Sequence, residues 1–166
     1  MNFNIKFKEA KEKFFKKQNI FFGFLILVIF IIDRITKIKV ISDFSDEKYF
    51  INDYINIDLI WNIGIGFGFL STNSSLFYNS ITFLIATVFV ILLYFLIISK
   101  SLEKTIYAII IGGALGNFYD RIIYKAVPDF LDIHYNNFHW FTFNVADIFI
   151  SLGIFIFIII GFFVKD

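Results

Sequence analysis

The stretch 111-IGGALGNFYDRIIYKAVPDFLDIHYNNFHWFTFNVADIFI-150 decides how this 166-residue chain folds. It opens in an apolar segment that contains several glycines and ends near Asp120. It then runs through an irregular aromatic loop with Asp129 and Asp132, and enters a last apolar run at Asp147. A carboxylate at membrane depth costs roughly 3 kcal/mol or more. Several carboxylates at the edges of two apolar segments therefore indicate a function.

The composition is typical of an integral membrane protein. Hydrophobic residues make up 58% of the chain and charged residues only 17%, and the length suggests one domain over residues 1–166. A net charge of +1 leaves no basic face for phosphates, so we expect no nucleic-acid partner. The chain has no cysteine, which excludes disulfides, thiolate metal sites and a cysteine nucleophile.

Four apolar segments are each close to the ~20 residues that cross ~30 Å of hydrocarbon. They cover residues 20–40, 76–99, 105–123 and 145–164. No small-residue cleavage site follows the first segment, so we expect it to be retained as a membrane helix. The basic segment before it, residues 1–19, is either a short amphipathic helix at the membrane surface or a solvated tail.

The distribution of charge orients the spans. Lysines in 1–19 and in the short basic turn 100–104 favour the cytoplasmic side, whereas the acidic loop 41–75 favours the outside. Aromatic and β-branched residues in 49–61 predict strands within that loop. We therefore predict an all-α membrane protein with four transmembrane helices, a small extracytoplasmic β-cradle in 41–75, a short interfacial helix and both termini in the cytoplasm.

Polar residues of the spans gather at one face of the membrane. At ~1.5 Å per residue, Asp33 lies ~20 Å along the first helix and Asp120 ~23 Å along the third, both towards the outside. Asp147 opens the fourth helix, because a long run of apolar and small residues follows it. The outer loops that join these helix ends carry the remaining polar candidates, Asn62, Asp129 and Asn144.

Several of these residues also have structural interpretations. Asp33 and Lys37 are one helical turn apart, so they either form an ion pair that fixes the helix end or support a site. Asp120 beside Arg121 is interpreted as structural.

Other motifs give no separate site. The spacing of Gly112 and Gly116 is typical of close helix packing, which we interpret as structural. His134 and His139 lack the HExxH spacing, so we expect no metal and no cofactor. No G-x-S-x-G motif indicates a serine nucleophile.

Two neighbouring carboxylates can share one proton and activate a water molecule. One takes the proton of the water as it attacks a carbonyl, while the other hydrogen-bonds the developing oxyanion and later protonates the leaving amine. Spacing alone leaves Asp120, Asp129 and Asp132 as alternative partners of Asp147. A proton or cation relay and a non-catalytic scaffold are the competing functions, although a relay would need polar groups on the cytoplasmic side as well.

Several blocks of the sequence resemble, in order and spacing, the motifs of lipoprotein signal peptidase, the type II signal peptidase of bacteria. The blocks are 33-DRITK-37, 62-NIG-64, 112-GGALGN-117, 120-DR-121, 127-VPDF-130 and 143-FNVAD-147. The resemblance covers residues 20–164. It implies an aspartic peptidase of the inner membrane that cuts the signal peptide from prolipoproteins before a diacylglyceryl-modified cysteine, with Asp129 and Asp147 as the catalytic pair. It also implies inhibition by globomycin-type antibiotics. We further expect membrane lipids as partners and a monomer.

The resemblance further assigns supporting roles. The residues expected to orient substrate or the catalytic pair are Asn62, Gly64, Asn117, Arg121 and Asn144. Asp33 and Lys37 are expected to brace the site. Two departures from the family pattern concern substrate fit and the local backbone: Ile65-Gly66 replaces a small alanine pair, and Pro128 replaces an aliphatic residue.

Overall fold

A computed structural model of the chain describes residues 16–45, 47–64 and 75–163. The helices in these ranges are α1 (Lys17–Asp43), α2 (Ser75–Ile98), α3 (Ser101–Ile123) and α4 (Val145–Phe163). The strands are β1 (Tyr49–Asn52), β2 (Ile55–Asn62), β3 (Val127–Tyr135) and β4 (Phe138–Phe143). The interfacial helix predicted near the N-terminus and the Ile65-Gly66 departure lie outside the described residues.

The four helices are long and apolar enough to span a membrane, as the sequence predicts. Large side chains such as Phe24, Phe83 and Phe155 lie on their exposed faces, where lipid would cover them. Helix α3 is the central element, because it packs against α1, α2 and α4. The prediction of a four-helix membrane fold with a small sheet is therefore confirmed.

Glycines of α3 let two neighbouring helices approach closely. A Cβ atom on Gly112 would lie 2.8 Å from the Cβ of Ile29 in α1. A Cβ on Gly113 would lie 2.5 Å from the carbonyl oxygen of Ala146 in α4, and one on Gly116 would overlap the carboxylate of Asp33. Side chains at these positions would push α1 and α4 away from α3.

The strands form one antiparallel sheet in the order β1-β2-β3-β4. The strands predicted in 49–61 are confirmed, but the interpretation of the segment around Asp129 and Asp132 as an irregular loop is wrong. Both residues lie in β3, where Asp129 faces Ile60 and Asp132 faces Asn56 across the ladder with β2. The cradle therefore extends from β1 and β2 to the hairpin of β3 and β4, which continues directly into α4.

Pro128 fits this strand because of its position. It pairs with Trp61 of β2, whereas the ladder between β3 and β4 starts only at Leu131. Proline is tolerated where a strand has no partner on one side, since its missing N–H is not needed there.

The predicted basic turn 100–104 is also wrong, because α3 begins within it. The side chain of Lys104 is buried, and its Nζ donates to the carbonyl oxygens of Leu96 at 2.7 Å and Ile97 at 3.0 Å. It also donates to Oδ1 of Asn19 in α1. Carbonyl groups at a helix end lack helical partners, so this lysine caps α2 and is held inside the bundle.

The close packing at Gly116 predicts that Gly116→Ala lowers the melting temperature in detergent micelles. Overpacking costs about 1–3 kcal/mol, and the new methyl group would also displace Asp33. Gly23→Ala in α1 is the matched control, because a Cβ atom there meets nothing within 4 Å. That substitution should be neutral or stabilise the helix by about 0.5–1 kcal/mol. Equal melting temperatures for the two variants would contradict this account of the helix contact.

Candidate active site

Asp129 lies in β3 beside the first turn of α4 and is only 2% exposed. Nδ2 of Asn62 donates to its Oδ2 at 2.8 Å. Nδ2 of Asn144 donates to its Oδ1 at 2.6 Å. Both oxygens of a buried carboxyl group therefore have a hydrogen-bond donor, as burial requires.

The two asparagine amides are locked in orientation by backbone groups. Oδ1 of Asn62 accepts a hydrogen bond from the N–H of Gly64 at 2.8 Å. Oδ1 of Asn144 accepts one from the N–H of Asp147 at 3.0 Å. Because each amide oxygen is occupied in this way, each NH₂ group is left to face Asp129.

Asp147 is the third residue of α4 and forms a reciprocal cap with Asn144. Its Oδ2 accepts a hydrogen bond from the N–H of Asn144 at 3.1 Å, while the side chain of Asn144 accepts one from the N–H of Asp147. This is a capping box with asparagine and aspartate. The helix dipole favours negative charge at this position. Asn144 thus contacts both carboxyl groups and links them.

The other oxygen of Asp147 is held from α3. Nδ2 of Asn117 donates to Oδ1 of Asp147 at 2.7 Å, and Oδ1 of Asn117 accepts from Nζ of Lys37 at 2.8 Å. The ammonium group of Lys37 is also 2.7 Å from Asp120 and 3.0 Å from Asp33. Lys37 has no solvent exposure, and its three donors have three acceptors.

Asp33, Arg34, Lys37 and Asp120 form a buried ionic cluster that we call the charge tetrad. Nη1 of Arg34 lies 2.6 Å from Oδ1 of Asp120, and Nη2 donates to Oδ2 at 2.8 Å. The guanidinium group also lies 4.9 Å from the ring centre of Tyr119. Two carboxylates and two cations give the tetrad no net charge, which reduces the free-energy cost of burying it.

The tetrad also contacts α4. Oδ1 of Asp33 accepts a hydrogen bond from the backbone N–H of Ala146 at 3.0 Å. This N–H belongs to the first helical turn, where backbone donors lack helical partners. Asp33 therefore fixes the start of the helix that carries Asp147, in addition to its ion pair with Lys37.

Arg121 does not pair with its neighbour Asp120. Its Nη2 donates to the carbonyl oxygen of Gly64, and its guanidinium group lies 5.4 Å from the ring centre of Tyr78. The hydroxyl of Tyr78 donates to the backbone carbonyl of Arg121 at 3.0 Å. Nε and Nη1 of Arg121 are buried without a partner among the described residues. Buried donors need acceptors, and a planar guanidinium group suits a carbonyl or carboxylate group.

The environment of Asp129 raises its pKa to about 7. Burial is the largest cause, and the negative charge of Asp147 is the next. The hydrogen bonds from Asn62 and Asn144 and the charge of Lys37 act in the opposite direction but are outweighed. Near pH 7 the Asp129 carboxyl group is therefore protonated in a substantial fraction of the molecules.

An apolar groove of about 520 Å³ leads to Asp147 along α4. Its polar residues are Asp147 and Ser151. Its apolar wall consists of Ile133, Phe141, Phe143, Ile148, Leu152 and Phe155. Because α4 crosses the membrane, this groove can hold hydrocarbon next to a carboxylate.

Asp132 belongs to a different environment. Residues three apart on a strand point to opposite faces, so Asp132 and Asp129 lie on opposite sides of β3. Nζ of Lys48 donates to Oδ2 of Asp132 at 2.8 Å. Burial alone would raise the pKa of Asp132, but hydrogen bonds from Lys48, His139 and Asn56 lower it below the ordinary value.

The structure thus separates the three alternative partners of Asp147. Asp120 lies in the charge tetrad and Asp132 lies against Lys48, whereas Asp129 is joined to Asp147 through Asn144. Sequence reasoning missed Arg34, which pairs with Asp120 across 86 residues. Arg34 lies inside the block 33-DRITK-37, which the sequence analysis singled out. Its spacing from other residues does not indicate that Asp120 is its partner.

The sequence matches the family model of signal peptidase II over residues 25–163. It is 46% identical to the lipoprotein signal peptidase of Pelagibacter ubique, over 86% of this chain and 87% of that protein. It is 42% identical to the lipoprotein signal peptidase of Blochmanniella pennsylvanica, over 82% of this chain and 86% of that protein. Two solved structures of bacterial membrane enzymes superpose with a TM-score of 0.69 each, at 28% and 27% identity. They cover 83% and 87% of this chain and 85% and 94% of their own.

The charge tetrad predicts that Lys37→Met destabilises the protein strongly. Removal of one partner from a buried ionic network costs roughly 3–5 kcal/mol, because a carboxylate is left without its counter-charge. Lys48→Met is the matched control, since Lys48 also pairs with aspartates but is 39% exposed. That change should cost about 1 kcal/mol or less. Thermal unfolding in micelles compares the two variants. An equal loss of stability would show that the buried tetrad contributes no more to stability than the exposed ion pair of Lys48.

Proposed function

This chain belongs to the signal peptidase II family, and on that premise we propose that it is a membrane-embedded aspartic endopeptidase of prolipoproteins. Asp129 and Asp147 are the catalytic pair. The bond that is cut is the amide before a diacylglyceryl-modified cysteine. The observation that carries this proposal is the pair itself: two carboxyl groups linked by one asparagine, one with a pKa raised to about 7, beside an apolar groove.

The reaction starts with one proton on Asp129 and a negative charge on Asp147. Asp147 takes a proton from a water molecule whose oxygen attacks the carbonyl carbon, and Asp129 gives its proton to the carbonyl oxygen. The tetrahedral diol then collapses: Asp147 protonates the amide nitrogen as the C–N bond breaks, and Asp129 recovers a proton from a diol hydroxyl. A new carboxyl group and a free amine are the products, and the pair returns to its starting state.

Neighbouring groups keep this pair in place. The fixed NH₂ groups of Asn62 and Asn144 aim the carboxyl of Asp129, and Asn117 aims that of Asp147. The arrangement needs little reorganisation during the reaction, which is the basis of electrostatic catalysis. Arg121 offers its remaining donors to backbone carbonyls of the substrate, and its contact with Gly64 ties it to the end of β2.

The apolar groove next to Asp147 is suited to a substrate that carries acyl chains. A prolipoprotein that carries acyl chains approaches within the membrane, and the groove next to Asp147 offers hydrocarbon contacts for those chains. Because lipid tails are as apolar as the groove, the groove positions these chains by packing and not by removing them from water. Antibiotics of the globomycin type would compete for the same space. We propose that a monomer is sufficient, since Asn62, Asn117 and Asn144 of this chain supply hydrogen bonds to both carboxyl groups.

The protein is a multi-pass protein of the bacterial inner membrane. The start of α1 and the connection of α2 to α3 lie at one end of the bundle, near Lys16, Lys17 and Lys100, while the sheet lies at the other end. By the positive-inside rule we assign the lysine end to the cytoplasm. Both termini then face the cytoplasm, and the catalytic pair lies near the outer face.

A proton or cation relay receives less support. It would need polar groups from the charge tetrad to the opposite end of the bundle. On α3, the buried positions between Lys104 and Asp120 are apolar or glycine, and the packed core around them includes Phe22, Leu96 and Ile111.

Cleavage of a diacylglyceryl-modified prolipoprotein by the purified full-length chain in micelles tests the proposal. Asp129→Asn and Asp147→Asn should each lower the rate by at least about 10³-fold, because each removes one half of the acid–base pair. Asp53→Asn, in an exposed turn of the sheet, should cleave at the wild-type rate.

Thermal unfolding of every variant separates loss of chemistry from loss of the fold. A folded Asp129→Asn or Asp147→Asn variant that cleaves like wild type would refute the assignment of the pair. A folded wild-type chain that cuts no such substrate would refute the proposed function.

A further inference from the structure

A second polar cluster lies on the face of the sheet opposite to Asp129. Asp132 and His134 are two residues apart on β3 and so share this face, and His139 of β4 pairs directly with His134 across the ladder. The two imidazole rings stack with centres 5.3 Å apart. Nδ1 of His139 lies 2.8 Å from Oδ2 of Asp132.

The three side chains present one ligand atom each within a small volume. One nitrogen of each histidine and one oxygen of Asp132 all lie within 4.8 Å of one another. A metal ion with ligand bonds of about 2.0–2.2 Å needs neighbouring ligand atoms about 3.4 Å apart. The side chain of His139 is 45% exposed, so a small rotation of that ring can close the remaining distance without a change in the sheet.

We propose that Asp132, His134 and His139 form a binding site for a divalent transition metal ion such as Zn²⁺. Two imidazoles and one carboxylate are a ligand set that such ions prefer over hard cations. Open coordination positions would be filled by water, because Lys48 and His139 leave the cluster accessible from solvent.

The cluster already binds a cation of the protein itself. The ammonium group of Lys48 lies 2.8 Å from Oδ2 of Asp132 and 3.5 Å from Nδ1 of His139, and it is also 3.5 Å from Asp58. A divalent ion beside Asp132 would repel this ammonium group. Since Lys48 is partly exposed, it can turn into solvent and give up its place, so Lys48 and the metal compete for the same carboxylate.

The side-chain amide of Asn56 lies next to the cluster and has an oxygen that could act as a metal ligand. Asn56 is buried, and its Nδ2 lies 3.2 Å from Oδ2 of Asp132 and 3.1 Å from Nδ1 of His134. Its Oδ1 is buried without a partner among the described residues. The Asn56 amide contacts two of the three proposed ligands, Asp132 and His134. It can therefore orient these ligands, or its oxygen can contact a bound ion or a water molecule on that ion.

A bound ion would join β3 to β4 at a point that the catalytic chemistry does not use. Asp129 precedes Asp132 on β3, and Asn144 follows β4 at the start of α4. The metal would therefore fasten the hairpin that supplies Asp129 and leads to its hydrogen-bond donor Asn144. None of the three proposed ligands takes part in the proposed peptidase reaction, so metal binding can be tested without it.

Titration of Zn²⁺ into the purified full-length chain without an affinity tag tests the site, with a chromogenic chelator as competitor. The chain has only two histidines, so background binding should be low. We expect one ion per chain, and His139→Gln should weaken binding by at least about tenfold because it removes one of three ligands. Lys48→Met should tighten binding several-fold, because it removes the competing cation and leaves all ligands in place.

Asp147→Asn is the control for binding at the catalytic pair and should leave the Zn²⁺ affinity unchanged. The proposal would be overturned by a wild-type chain without saturable one-to-one binding, or by His139→Gln with wild-type affinity. It would also be overturned if binding were lost in Asp147→Asn, or if Lys48→Met bound no more tightly than wild type. Cleavage activity enters none of these measurements, so their failure is distinct from failure of the proposed function.

Discussion

The ammonium group of Lys37, fully buried between α1 and α3, is the interaction on which the arrangement of the site depends. A buried ammonium requires acceptors for all three donors, and here they are Asp33, Asp120 and Asn117. Two of these acceptors in turn position parts of the candidate site. Asp33 fixes the first turn of α4, and Asn117 is forced to turn its NH₂ group towards Asp147. The need to pair the buried Lys37 ammonium group therefore also fixes the position of the Asp147 carboxyl group, which we assign to catalysis.

The same logic governs the hydrogen bonds around Asp129. Asparagine has a donor and an acceptor end, and a backbone N–H on the acceptor end decides which way the donor points. Asn62 and Asn144 are both oriented in this manner, one from the end of β2 and one from the cap of α4. The small sheet therefore positions one side of Asp129, and the membrane helices position the other. Neither element could hold this carboxyl group alone.

The sequence was sufficient for the spans and for the end of the bundle where polar residues gather, because apolar runs near 20 residues and their charged flanks are local features. It was insufficient for contacts between distant segments. The hairpin 127–143 alternates between apolar and polar residues only over part of its length, mainly in 131–135. Its partner β2 lies more than 60 residues earlier, so the sequence alone predicts a loop there. The sequence places Lys104 in a short basic turn because its buried acceptors lie on α1 and α2, far from it in the sequence or on the preceding helix. The ligands Asp132, His134 and His139 match no metal spacing because cross-strand register, not sequence distance, brings them together.

The choice of Asp129 over Asp120 came from the family motif, and the structure adds a physical reason, since Asp120 is occupied by Arg34 and Lys37.

The central claim is that Asp129 and Asp147 behave as one coupled pair, and direct titration of the Asp129 carboxyl group tests it. Aspartate labelled with ¹³C at Cγ would be followed by NMR in micelles, with the Asp129 signal assigned by its loss in Asp129→Asn. The account predicts a midpoint of about 7, which moves to lower pH in Asp147→Asn because the neighbouring negative charge is gone. A midpoint near the ordinary value of 3.8, or one that does not respond to Asp147→Asn, would contradict it.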